Sequence, residues 1–460
     1  MIKDLTKGNP LKLIIIFALP VLISNIFQQF YHIADIMIVG RLLGIKALAA
    51  VGSSAPLIFM FLMISFGFTG GLTIITAQRF GAHDEKGIKS SVFHSFIASI
   101  VLCILISLFL VIFLKDLLIL MNIPDEIMDQ AYKFALVLGL SSTPIILFNL
   151  LSGFIRALGD AKTPLYFLIF SSILNIILNF IFIYYCKMGV VGSAIGSGCS
   201  ITLTVIACII VIAKRMPLLR IKLKDCRYNH KFMKEHLKIA IPMAINFSIL
   251  SFSMMIIQSV CNSFGTEVIA GFTAAMRIEQ ISVQPLVAIG IAIATYTAQN
   301  YGATLIKRIR KGVRQSLFVC LIISIIISVS VRLFGTEMIA SFIDNKDQNI
   351  IHIGKEYLLI SSYFYFFLSC IFITRNTLQG MGNATFPLAS SIIELIIRAY
   401  SAIYLANIIG YYGIFWAGPI AWIGGALVTL LGYFWIILRL NPKAMRQIYL
   451  RNRNIKKFSI

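Results

Sequence analysis

Asp35 is an acidic residue inside a long apolar run, and no basic residue accompanies it in the first half of the membrane region. A charge at bilayer depth costs roughly 3 kcal/mol or more, so such a residue needs a partner or a task. Asn25, Gln28, His32 and Asp35 recur at intervals of three and four. On a helix that spacing draws one polar stripe, a face unsuited to lipid. Desolvation lets a lone carboxylate cycle between protonated and ionised forms or hold a cation, which is chemistry for ion coupling. Asn175 and Asn179, one helical turn apart, are expected to line the same pocket, and His32 is a further polar member of it.

The second half carries four charges at similar depth: Arg277, Glu279, Glu394 and Arg398. They sum to zero. Glu394 and Arg398 have the i, i+4 order that favours an ion pair on one helix face. Arg277 and Glu279 are two apart and cannot face each other on one helix, so at least one must look to a neighbouring helix; Glu279 is a candidate for substrate or ion contact. Met254, Met255, Gln258, Gln284, Tyr296 and Tyr365 supply soft, aromatic and amide surface suited to flat lipophilic cations.

The elements that position these groups follow from composition. Hydrophobic residues make up 59% and charged residues 13% of the 460, and the mean hydropathy is +0.91. That balance belongs to a chain whose solvent is lipid. A helix needs about 20 apolar residues to cross a bilayer. Twelve runs qualify, near 11–38, 50–77, 91–114, 132–153, 165–185, 190–213, 238–262, 273–298, 315–334, 353–374, 388–407 and 414–438. They are too long, and too uniformly apolar, for β-barrel strands.

The chain is also duplicated. Thr76-Ala77-Gln78-Arg79-Phe80-Gly81-Ala82 returns as Thr297-Ala298-Gln299-Asn300-Tyr301-Gly302-Ala303, Ala18-Leu19-Pro20 as Ala240-Ile241-Pro242, and Leu158-Gly159-Asp160-Ala161 as Met381-Gly382-Asn383-Ala384. Each half holds six spans, so both copies enter the membrane in the same direction and are related by an axis along its normal. The expected architecture is all-α: twelve transmembrane helices in two homologous six-helix bundles around a central cleft. The expected lobes are 1–213 and 238–460, with a basic linker over 214–237 and a basic tail after the last span. Asp35 projects onto Ile256 or Ile257, Glu279 onto Ile58, Glu394 onto Ser171 and Arg398 onto Asn175. A six-helix unit can therefore be built without these charges. Gly81 and Gly302 suit helix C-caps, and Pro20, Pro56, Pro144, Pro242 and Pro285 mark places where helices can bend.

The net charge of +22 would suggest nucleic acid in a soluble protein. Here roughly 30 of the 40 Lys and Arg fall in the N-terminal tail, alternate loops and the C-terminal tail, which puts both termini in the cytoplasm by the positive-inside rule. No nucleic-acid partner is expected. The basic linker and tail also suit anionic lipid headgroups. The eight cysteines lie mostly within spans and form no CxxC pair. They read as packing residues, and no metal or organic cofactor is expected. The six histidines are scattered, which argues against an embedded enzyme, and no GxxxxGK[ST] occurs for ATP drive.

Lys7-Gly8-Asn9-Pro10, Ala18-Leu19-Pro20, Asp35 with Val39-Gly40-Arg41, Ala47 to Gly52, the two Gln78 and Gln299 motifs, and Arg156 to Pro164 with its copy together resemble the MATE (multidrug and toxic compound extrusion) family over nearly the whole chain. The resemblance implies a multi-pass secondary antiporter of the bacterial inner membrane, exporting small organic cations in exchange for H⁺ or Na⁺ by alternating access; a monomer is the expected state. It also implies that Asp35 is the coupling residue, with Asn175 and Asn179 beside it. One branch of the family carries coupling acids in spans seven and ten; here span seven has Asn246, Ser251 and Gln258, and Glu356 lies near the outer end of span ten. The alternative is a flippase for lipid-linked oligosaccharides or another amphipathic lipid, a class that shares the fold but lines its cavity with many basic residues.

Overall fold

The computed structural model describes residues 3–222, 225–343 and 347–440, apart from the side chain of His32. The expected basic tail lies outside the described residues. Among those described, the chain is helical and no strand occurs. In lipid every backbone polar group must find an internal partner, and a helix does so within one segment.

The helices are α1 (Pro10–Leu43), α2 (Ile45–Gly81), α3 (Glu85–Leu120), α4 (Asp125–Leu140), α5 (Ser142–Ala157), α6 (Lys162–Phe180), α7 (Gly189–Arg215), α8 (His230–Asn262), α9 (Thr266–Ser282), α10 (Gln284–Gly302), α11 (Ile306–Ala340), α12 (Gln348–Tyr363), α13 (Tyr365–Gly380), α14 (Thr385–Ile409) and α15 (Tyr412–Arg439). A π-helical turn, Ile181–Tyr185, follows α6. Among the described residues ten segments are long and apolar enough to cross a bilayer, and up to 12 spans result if each of two bent pairs counts as one.

The pairs are α9 with α10, bent by 41°, and α12 with α13, bent by 52°. Pro285 explains the first, because it sits in the opening turn of α10, where a missing N–H is harmless. No proline stands at the second. It falls at Phe364, and the equivalent place in the first half, Ser141, separates α4 from α5. That break belongs to the repeat. Pro20, Pro56 and Pro242 lie inside unbroken helices.

The expected glycine caps are overturned. Neither Gly81 nor Gly302 has a positive φ; the left-handed residues are His83 at 53° and Thr304 at 62°. The amide of Asp84 bonds to the Arg79 carbonyl (3.0 Å) and that of Leu305 to the Asn300 carbonyl (2.8 Å). These are 6→1 closures of a Schellman motif, whose left-handed position lies two residues past each glycine.

Two compact units are present. The first contains Ile23–Ala244, and its core gathers Leu72, Val92, Leu150, Phe154 and Ile155 with Met233 and Ala240. The second contains Asp4–Leu22 and the described residues from Ile245 onward, with Phe272, Tyr357, Leu358 and Phe415 in its core. Both boundaries lie inside helices, two residues after Pro20 in α1 and two after Pro242 in α8.

The repeated Thr-Ala-Gln segment is structural in both units. In the second, Gln299 Oε1 accepts from the Leu5 amide (2.9 Å), while Asn300 Nδ2 donates to the Leu5 carbonyl (3.2 Å). In the first, Arg79 stands in place of Asn300 and pairs with Asp84 (3.8 Å) and Glu235 (3.6 Å).

Candidate functional sites in the two units

In the first unit α1, α6 and α7 bring Asp35 into a neutral polar cluster. Asn179 Nδ2 donates to Asp35 Oδ1 at 2.5 Å and also to Asn175 Oδ1 at 3.1 Å. The Ser193 hydroxyl reaches the same Asp35 oxygen at 3.3 Å. Asn175 Nδ2 donates to Ser197 Oγ at 2.9 Å, and Tyr31, one turn before Asp35, is hydrogen-bonded to Ser197. Asn175, Asn179 and Ser193 are fully buried. Among the described residues no cationic side chain lies within ion-pair distance of Asp35, and the Asn179 carboxamide oxygen is buried with no hydrogen-bond partner.

Backbone packing makes this cluster possible. Gly192, Gly196 and Ser200 are spaced four apart on α7, the small-residue pattern that lets membrane helices approach closely. A methyl at Gly196 would collide with Asn179 Oδ1, and one at Gly192 would press on the Phe182 carbonyl in the π turn. That turn closes through the Cys186 amide and the Ile181 carbonyl (3.0 Å). A π turn inside a helix often marks a functional position.

Asn25 is half-buried and Gln28 exposed on α1. The side chain of His32 lies outside the described residues. Sequence reasoning missed Tyr31, Ser193 and Ser197. The i, i+4 spacing of the two serines within the small-residue run was the available signal.

The second unit uses the equivalent face differently. Glu394 and Arg398 of α14 occupy the repeat positions of Ser171 and Asn175 on α6. The pair expected along α14 is replaced: Glu394 forms its ion pair with Arg375 of α13, and the Ser390 hydroxyl donates to the same oxygen at 2.9 Å. Arg398 Nη1 donates to Ser253 of α8 at 2.8 Å. The partner was missed because Arg375 falls one residue past the apolar run assigned to span ten, while α13 continues to Gly380.

Glu279 is buried and accepts a hydrogen bond from the Tyr357 hydroxyl across from α9 to α12. Its other oxygen is buried without a hydrogen-bond partner. Arg277, two residues earlier, is exposed. Met254 and Met255 are 42% and 50% exposed, Gln258 is exposed and donates to Asn262 (2.9 Å), and Gln284 donates to the Gln280 carbonyl (3.0 Å). Tyr296 departs from its expected place on a substrate surface: it is fully buried and donates to the Arg308 carbonyl at 3.0 Å. Tyr365 is likewise fully buried. The Tyr296 ring fills packing space, while Tyr365 lies close enough to Glu279 to act on its carboxylate. No group of three or more His, Cys, Asp and Glu suited to a metal ion occurs among the described residues.

A family model described as MatE matches residues 20–181 and 242–404. The chain is similar to the probable multidrug resistance protein YoeA of Bacillus subtilis (strain 168), 26% identical over 436 residues, covering 91% of this chain and 92% of that protein. It is also similar to the multidrug export protein MepA of Staphylococcus aureus (strain MSSA476), 22% identical over 427 residues and covering 92% and 94%. Among solved structures, a MATE crystal structure in the bent conformation superposes with a TM-score of 0.88 at 24% identity, over 97% of this chain and 98% of that one. An outward-facing multidrug resistance MATE family transporter of the MOP superfamily gives a TM-score of 0.86 at 24% identity, over 96% and 98%. These structural likenesses establish the fold.

Proposed function

This chain belongs to the MatE family, and from that premise we propose that it is a secondary antiporter of the bacterial inner membrane, exporting hydrophobic organic cations in exchange for H⁺ or Na⁺. Relatives of nearly the same length carry multidrug resistance and export names, which supports drug efflux. Alternating access, cytoplasmic termini and a monomeric state belong to the same reading.

The observation that carries it is Asp35. Its carboxylate is held by side-chain donors of Asn179 and Ser193, with no cationic partner among the described residues. Neutral donors orient a carboxylate without cancelling its charge, so H⁺ or Na⁺ is the natural counter-charge. The unpartnered Asn179 oxygen adds a second hard donor of the kind such cations prefer. In this mechanism ion uptake at Asp35 and release of the organic cation alternate. Loss of the ion restores the full charge and favours rebinding of substrate. One charge moved across 100 mV supplies about 2.3 kcal/mol, enough to sustain a roughly 50-fold gradient. Glu279 is a second candidate, but Arg398 lies close enough to act on its charge, so it has a resident partner that Asp35 lacks. The exposed Met254 and Met255 are proposed as adaptable substrate surface.

The test is ethidium efflux from vesicles containing wild type or Asp35→Asn, driven separately by a pH gradient and a Na⁺ gradient. Efflux under one gradient, lost in the variant while ethidium still binds, would establish antiport and name the ion. Undiminished gradient-driven efflux in the variant would remove Asp35 from coupling.

A further inference from the structure

A buried histidine pair joins the head of α8 to α3, and nothing in the efflux reading uses it. His94 and His236 are both fully buried, and their rings stack at 6.2 Å. His94 Nε2 accepts a hydrogen bond from the Asn229 amide at 2.9 Å. That nitrogen must therefore be unprotonated. His94 Nδ1 donates to the Ser90 carbonyl at 2.7 Å, so both ring nitrogens are committed in the neutral form. His236 Nδ1 donates to the Phe232 carbonyl at 2.9 Å, and its Nε2 meets Ser91 Oγ at 2.8 Å, which continues to Thr76 Oγ1 at 2.8 Å.

The two rings differ in what a proton would do. Ser91 can turn to accept from a protonated His236 and donate to Thr76. The Asn229 amide cannot turn. A proton on His94 Nε2 would set two N–H groups against each other and remove the bond.

Asn229 is where α8 starts: its Oδ1 accepts from the Lys231 amide (3.0 Å) and the Phe232 amide (3.2 Å). A side chain that satisfies the first free amides is what fixes a helix start. Tyr228 stacks on His94 at 5.6 Å, and Phe232 meets it edge-on at 5.2 Å.

Other charged groups reinforce the preference for a neutral pair. From α2, Arg79 lies over the Phe232 ring at 5.3 Å and spends its charge on Asp84 and Glu235. From α3, Lys89 faces Asp225 at 4.0 Å. Neither acid of the Arg79 network is free to stabilise an imidazolium.

The repeat argues that titration is not needed for construction. His94-Ser95 corresponds to Gln315-Ser316, and His236 falls at Ile14. The equivalent positions in the sister unit carry side chains that do not ionise.

We propose that His94 is a proton-sensitive latch: neutral, it docks Asn229 and the head of α8 against α3, and protonated, it releases them. In the cytoplasmic orientation proposed above, the latch reports the internal pH. Histidine is the side chain whose ordinary range makes such a switch possible near neutrality. The segment it holds is well defined, because α2 meets this part of α8 closely at Gly71, where a methyl would lie 2.5 Å from the Ala240 Cα. Release at Asn229 thus frays the turns preceding that close contact.

The test is backbone hydrogen exchange on the full chain in lipid nanodiscs, between pH 7.5 and 5.5, corrected for the intrinsic pH dependence of exchange. In wild type, amides of 229–235 should lose protection several-fold, up to about tenfold, as pH falls, while the head of α11 keeps it. His94→Gln, which installs the sister unit's residue, should keep the segment protected at both pH values. Ser91→Ala, which leaves His94 intact, should retain the pH step. Equal protection of the wild-type segment at both pH values would overturn the proposal, as would a full step in His94→Gln. Exchange needs no transported compound, so this outcome is separate from the fate of the antiport reading.

Discussion

Replacing Gly196 by Ala tests whether α6 and α7 must touch for Asp35 to be held. The added methyl would collide with Asn179 Oδ1 and stand 3.1 Å from the Asn179 backbone nitrogen. Rotating the side chain relieves only the first contact, so the helices must part or Asn179 must give up its place. Overpacking of this kind costs about 1–3 kcal/mol. The matched control is Gly52→Ala on α2, where nothing lies within 4 Å of the new methyl and helix propensity alone should give a gain of about 1 kcal/mol. Both variants share that propensity gain, so their difference isolates the packing term. In a unit of this size about 2–4 °C accompanies each kcal/mol, so thermal unfolding in detergent should place Gly196→Ala roughly 2–12 °C below Gly52→Ala. The functional arm follows from the lost bond. A hydrogen bond to an ionised group contributes about 1.5–3 kcal/mol, so gradient-driven ethidium efflux should fall roughly tenfold or more. Placed on Asp35→Asn, the glycine change should reduce transport no further, because the group it disturbs has already lost its charge. Wild-type efflux in Gly196→Ala, a melting temperature equal to that of Gly52→Ala, or an additive transport defect on Asp35→Asn would each refute the argument.

Removing Arg375 as Arg375→Met should destabilise the second unit by about 3–5 kcal/mol, because it strands a buried carboxylate at Glu394. The double variant with Glu394→Gln should recover part of that loss, which a double-mutant cycle of unfolding free energies would measure; strict additivity would mean that the pair is not coupled. Asp160 makes a prediction in pH. Burial works against its charge, but its hydrogen-bond donors, the Thr163 hydroxyl at 2.8 Å and the Thr163 amide at 3.1 Å among them, hold the carboxyl below the ordinary carboxylate value. A folded pKa below the unfolded one adds stability above about pH 4, and that stability is lost as pH falls through the folded value. The stability gap between wild type and Asp160→Ala, about 0.5–2 kcal/mol near neutral pH, should therefore narrow in acid. Asp160→Asn should be milder, since Asn383 fills the equivalent place and accepts from the Phe386 amide.

Much of this architecture follows from the sequence because lipid leaves few choices. An apolar run of sufficient length has to become a helix when its backbone cannot bond to water. A duplication extending over the whole chain then implies two units of the same build. Asp35 was legible for a related reason: a charge is costly at that depth, and the apolar runs of its own half offered it no opposite charge. Helical spacing also puts Asn175 and Asn179 on one face of their span, although their meeting with Asp35 is a matter of packing between helices.

What the tertiary structure decided is who meets whom across helices. Spacing along α14 favours Glu394 with Arg398, because i, i+4 neighbours are the only contacts that a single helix guarantees. The real partner, Arg375, stands on α13, and the depth at which two helices cross is set by packing that no local pattern records. Tyr357 reaches Glu279 for the same reason, and Ser193 reaches Asp35 only because Gly196 lets α7 close on α6. The left-handed turns at His83 and Thr304 make the point for the backbone. Glycine is the cheapest residue for that conformation, but where a helix stops depends on which later amides can reach back to its last carbonyls. The sequence by itself determined the spans, the repeat and the carboxylate that lacks a countercharge; the fold decided the cross-helix partners, because they depend on distances between segments far apart in the chain.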